Sequence, residues 1–168
     1  MTGDDDDATD GSTSICVDEQ FAPIRYHWYP RHGETFAEAL REMLADSGLS
    51  EVAQSQVFVD VAGKMRGLVR GRLRPVLHVK GPVASVTGID VFEVRVRSQI
   101  GDEDDADVLV RIYHAEPLKL QSPAGSTVIG LHMHIKDISD PAQVRARQNA
   151  ELQQARARYF EGRPSNWE

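Results

Sequence analysis

Three stretches decide the fold: Phe92–Arg97 (FEVRVR), Val108–Ala115 (VLVRIYHA) and Val128–Lys136 (VIGLHMHIK). In the first, Phe92, Val94 and Val96 alternate with Glu93, Arg95 and Arg97. That period of two describes a strand with one buried and one solvated face. In the third, the same alternation sends Ile129, Leu131, Met133 and Ile135 one way and Gly130, His132, His134 and Lys136 the other. Gln121–Ser126 (QSPAGS) has the chemistry of a turn, and the acidic run 102–107 reads as another, so the three strands form an antiparallel meander.

On the N-terminal side the period changes to that of helices. Arg25–Tyr29 (RYHWY) ends at Pro30 and reads as a first, edge strand. Thr35 and Glu38 have capping-box spacing, and Phe36, Leu40, Met43 and Leu44 make one apolar stripe before Gly48. Ser50 can cap a second helix carrying Phe58, Val61, Ala62, Met65, Leu68 and Val69 on one face, stopped by Gly71 and Pro75. Val76–Val79 is a short apolar segment and Lys80–Gly88 a loop. On the C-terminal side Asp140, Pro141 and Gln143 mark a helix start. That helix runs to about Phe160 and ends at Gly162 and Pro164, with only Val144, Leu152, Ala155 and Tyr159 as a thin apolar stripe. The predicted order is strand, helix, helix, three or four antiparallel strands, then a helix, an α+β architecture with its helices packed on one sheet face.

The 168 residues, 40% of them hydrophobic, suffice for one domain. Residues 1–20 hold seven acids and no base, and are expected to be a disordered acidic tail before a domain over 21–168. Without that tail, nineteen acids face nineteen bases. Without the 102–107 cluster as well, the remainder is positive by five, and fifteen of the nineteen bases are Arg, a residue suited to phosphate. No apolar run approaches the roughly 18 residues of a membrane span, and no basic-then-apolar leader is present. A single cysteine, Cys16, fits a reducing cytoplasm.

Taken in order, FEVRVR, VRIYHA (Val110–Ala115) and Val128–Tyr159, with LHMHIKD, Pro141, Gln143 and ARARYF, resemble the RelE/ParE toxin superfamily, and within it the phage-derived HigB-like branch. The similarity covers roughly residues 22–160. It implies a RelE-like α+β fold and the toxin of a type II toxin-antitoxin system. The activity implied is that of an mRNA interferase, a cofactor-independent endoribonuclease that cleaves mRNA on the ribosome and stops translation. The implied partner is a HigA-like helix-turn-helix antitoxin. The alternative is a non-catalytic ParE-like or degenerate member that binds a protein such as gyrase or an antitoxin.

Metal-free RNA cleavage needs a base for the ribose 2′-hydroxyl, a cation for the phosphorane and an acid for the leaving oxygen. Arg95, Arg97 and Lys136 are the candidate phosphate clamps, and His132 or His134 with Tyr113 the candidate proton carriers. Lys136, His132, His134, Tyr113 and Arg95 thus form the catalytic set, and Arg97, Arg111, Arg74 and Arg145 the RNA-binding set. The bland reading makes His132 and His134 ordinary polar residues, Tyr113 a packing aromatic and the helix arginines a solvated face. Trp28, His27 and Tyr29 could stack on bases or pack the first strand on the helices. A zinc site from His132, His134, His114 and Asp137 lacks a third ligand at a known spacing, so no metal is expected.

Overall fold

A computed structural model describes residues 12–83, 88–100 and 107–168. Its elements are β1 (Ile24–Trp28), α1 (Phe36–Ala45), α2 (Glu51–Val69), β2 (Val79–Lys80), β3 (Val91–Gln99), β4 (Asp107–Ala115), β5 (Ser126–Ile135) and α3 (Val144–Gly162). The class is α+β. The sheet runs β1-β5-β4-β3-β2, with β1 parallel to β5 and every other pair antiparallel.

Local chemistry sets the helix starts. Thr35 Oγ1 accepts from the Glu38 N–H (3.2 Å) while the Thr35 N–H donates to Glu38 Oε2 (2.8 Å), completing the capping box of α1. Ser50 Oγ accepts from the Ala53 N–H (3.2 Å) at the head of α2. α3 departs from expectation: Asp140 Oδ1 accepts from the Ala142 N–H (3.1 Å), but this closes a turn over 141–143, and the helix opens at Val144 with no side-chain cap.

The helices do not share one face of the sheet. α1 and α2 pack with Ile24, Val94, Val96, Val110, Ile112, Val128 and Met133. α3 packs from the other side, where Leu152 and Ala155 meet Val91, Tyr113, Ala115, Ile129 and Leu131. The one-sided arrangement expected from the sequence is therefore corrected to a sheet covered on both faces.

A β-bulge decides which residues of β5 meet which helices. Tyr113 pairs with His132 but His114 pairs with Gly130, so Leu131 is an extra residue in β5. The even alternation expected along Val128–Lys136 breaks there. Ile129 and Leu131 lie beneath α3 together with His132 and His134, while Met133 and Ile135 pack toward α1 and α2. Gly130 faces the rings of β1: a Cβ there would lie 2.8 Å from Trp28 Cε3 and run into the Tyr26 phenol, so only glycine fits.

The N-terminal boundary also moves. Ile15–Val17 and Glu19–Phe21 form 3-10 turns, Cys16 is 0% exposed, and the Leu73 N–H donates to Cys16 O (3.0 Å). Residues 12–20, expected in the acidic tail, thus form a strap whose Ser14, Ile15 and Cys16 are buried against the core. The rest of that expectation, residues 1–11, lies outside the described residues, as do 101–106 of the acidic run, and Asp107 opens β4.

Candidate functional site

The α3 side of β3, β4 and β5 carries transverse rows set by strand register. Glu93, Tyr113 and His132 form one row, and Arg95, Arg111 and His134 the next. Arg97 and Leu109 continue the pattern, with the Lys136 N–H donating to Leu109 O (2.7 Å). Residues predicted as catalytic from separate stretches therefore meet on one face. Cover by α3 then grades the rows. Glu93 is 1% exposed, the side chain of Arg95 29% and that of Arg97 72%.

Glu93 is the electrostatic centre, although alternation assigned it to a solvated face. Its Oε1 accepts from Arg95 Nε (2.8 Å) and lies 3.5 Å from Arg111 Nε, while its Oε2 accepts from Gln148 Nε2 of α3 (3.0 Å). A buried carboxylate so surrounded is held by charge-assisted bonds.

The two histidines are wired as opposite tautomers. Arg158 donates to His132 Nδ1 (2.8 Å), so that atom is an acceptor and Nε2–H donates to Glu151 of α3. Nδ1–H of His134 donates to Ile135 O (3.3 Å), leaving its Nε2 to accept from the Tyr113 hydroxyl (3.0 Å). Tyr113, His132 and His134 stack in near-parallel planes, with His132 and His134 centroids 6.0 Å apart. Burial, opposed by Glu151, holds both histidines below the ordinary imidazole range, and burial beside Glu93 pushes the Tyr113 phenol up.

That wiring fixes a pH dependence. An unfolded histidine titrates near ~6.5. Because the folded pKa values lie lower, the unfolded chain takes up protons first as pH falls, and stability present above that pH is lost below it. The urea midpoint is expected to stay level from about pH 8 to 7 and to decline toward pH 5.5, with a shallower decline in His132→Gln. Parallel profiles for the two proteins would contradict this assignment.

The remaining predicted residues separate. Arg97 pairs with Asp107 beyond the edge of the α3 cover. Arg145 is exposed on the first turns of α3. Arg74 stands apart: its N–H donates to His78 Nδ1 (3.1 Å), and its charge acts with Lys64 of α2 on that imidazole. The zinc set weighed and set aside from the sequence is also dispersed. His114 stacks on Phe92 (5.6 Å) on the α1–α2 side, and Asp137 pairs with Ser139 and Arg147. Trp28 packs edge-on against Phe36 (5.5 Å) and His27 Nε2 donates to Trp167 O (2.7 Å), so the first strand is a packing element.

Sequence reasoning missed Gln148, Glu151 and Arg158. The signal was the thin apolar stripe of α3: these three flank Leu152 and Ala155 at helical spacing, so polar side chains share its buried side.

None of the described helices is long and apolar enough to cross a membrane. Compared with family models, curated proteins and solved structures, the chain matches none.

Proposed function

We propose that this chain is a RelE/HigB-like toxin of a type II toxin-antitoxin pair, an endoribonuclease that cleaves mRNA on the ribosome and is neutralised by a HigA-like helix-turn-helix antitoxin. The strand-helix-helix, antiparallel sheet and final helix order supports the RelE-like reading. One observation carries the chemistry: Arg95 and Arg97 of β3, and His134 and Lys136 at the end of β5, flank β4 at the end of the sheet face where the α3 cover stops. A phosphodiester seated there meets cations able to stabilise the phosphorane as the 2′-oxygen attacks and the bond to the next nucleotide breaks. Tyr113 and His132 are enclosed and fully engaged, so they act as positioning residues that orient His134 and the sheet behind it. Charge stabilisation is then the main source of rate. The test is inducible expression with mapping of transcript ends; growth arrest with new 5′ ends in mRNA is expected, and arrest with intact transcripts would overturn cleavage.

A second reading is favoured by a separate feature. Phe36, Leu40, Phe58, Ala62, Met65 and Val69 line an apolar groove of about 440 Å³ between α1 and α2, with Arg66 and Arg70 beside it. An apolar groove between two helices can seat the apolar face of a partner's helix, as in the non-catalytic ParE-like alternative. Arrest that is relieved by substitutions in the groove, with transcripts intact, would favour that alternative.

A further inference from the structure

Away from the α3 face, the strap meets the end of β4. Cys16 Sγ lies 3.8 Å from His114 Nε2 and 3.9 Å from Glu116 Oε2, and those two atoms are 2.7 Å apart. The side chains of His114 and Glu116 are 0% and 3% exposed, and Cys16 is 0% exposed. Glu116 also accepts from the Ser14 hydroxyl (2.5 Å) and the Ile15 N–H (2.8 Å). We propose that Cys16, His114 and Glu116 form a binding site for a divalent transition-metal ion of zinc type, which fastens the N-terminal strap to the sheet.

The geometry is the first argument. The three separations describe a triangle whose centre lies about 2.1 Å from each ligand atom, within the range of zinc–nitrogen and zinc–oxygen bonds and about 0.2 Å short of a zinc–sulfur bond, which an ion set slightly out of the triangle's plane makes up. The His114–Glu116 contact widens by roughly 0.5 Å to reach tetrahedral spacing, as a proton leaves between them. The Ser14 hydroxyl donates to the same carboxylate oxygen and so orients that ligand from behind.

The second argument is charge. A thiolate and a carboxylate balance a divalent cation while histidine stays neutral, so the filled site is uncharged in a buried place. Protons balance too. The Cys16 thiol releases its proton to solvent, and the proton on His114 Nε2 passes to Nδ1, a buried atom with no hydrogen-bond partner among the described residues. A thiol nucleophile is a poorer account of the cluster. Sulfur and carboxylate both face Nε2, so the carboxylate does not orient the ring through its other nitrogen as a triad requires. Burial and the Glu116 charge moreover keep the metal-free thiol protonated.

The test is a titration of the full, reduced, chelator-treated chain with Co²⁺. One equivalent is expected to produce a thiolate-to-cobalt charge-transfer band, bleached by added Zn²⁺, with affinity at least tenfold weaker in Cys16→Ser. Zinc should also slow proteolysis within residues 12–22. Absence of the band, or a band unchanged in Cys16→Ser, overturns the proposal. Should that variant fail to fold, elemental analysis of wild-type protein from zinc-supplemented cells decides: about one zinc per chain supports the site, and none refutes it.

Discussion

Glu93→Ala is expected to lower the unfolding free energy by about 3–5 kcal/mol, the cost of breaking a buried ion pair from one side. Glu93 is the shared anion of Arg95 and Arg111 and accepts from Gln148 of α3. Arg95 is partly exposed and can turn to solvent, but Arg111 is 8% exposed between sheet and helix. Most of the loss therefore comes from Arg111, a cation stripped of its carboxylate yet still enclosed. With a total stability of roughly 5–15 kcal/mol for a domain of this kind, the variant sits near its threshold. The double variant Glu93→Leu with Arg111→Met should recover much of the loss, because it removes the buried cation together with the carboxylate. Urea denaturation of the three proteins measures this, and a single variant within about 1 kcal/mol of wild type would show that the cluster is solvated instead.

What the sequence made legible was local. The Thr35–Glu38 capping box, the Ser50 cap and the alternation of Phe92, Val94 and Val96 each concern groups a few residues apart, and each fixes an element where it was expected. The bulge at Leu131 is a property of strand pairing, since it exists only in the register of β5 against β4. A strict alternation read along one strand cannot contain it, so the faces of Ile129 and Leu131 were assigned with Met133 and Ile135. Glu93 was misread for a related reason. Its charge marks a solvated position until a helix some fifty residues further on covers it. Arg, His and Tyr of the candidate set share rows on adjoining strands, because residue type and alternation are both readable along a strand. Burial was the quantity that local pattern could not supply, and it separates the groups that can reach a ligand from those that hold the face together. The strap shows the same limit: Ser14–Val17 is polar at one end and set beside an acidic run, yet it is anchored by Glu116, which lies about a hundred residues away.

On the proposed endoribonuclease reading, Lys136→Ala is expected to reduce RNA cleavage by about 10²-fold or more with a much smaller effect on the urea midpoint. Little apolar packing is lost, because Lys136 is half-buried just past the end of β5, outside both hydrophobic clusters. On that reading activity is not spared, because Lys136 brings a cation from just beyond β5 to the edge where Arg95 and Arg97 contribute theirs from β3. If its charge stabilises the phosphorane, the loss falls on kcat more than on KM, since the interaction strengthens as charge develops on the phosphate. Arg97→Ala should differ in kind. Its guanidinium is exposed and already paired with Asp107, so it contributes to ground-state binding, and its removal should weaken RNA affinity modestly and reduce the salt dependence by about one counterion. Lys136→Arg supplies the control, because a restored charge with different shape should return part of the rate if electrostatics dominate and none if a lysine proton is transferred. Equal cleavage by Lys136→Ala and wild type would remove the catalytic edge from the account and leave the apolar groove between α1 and α2 as the working surface.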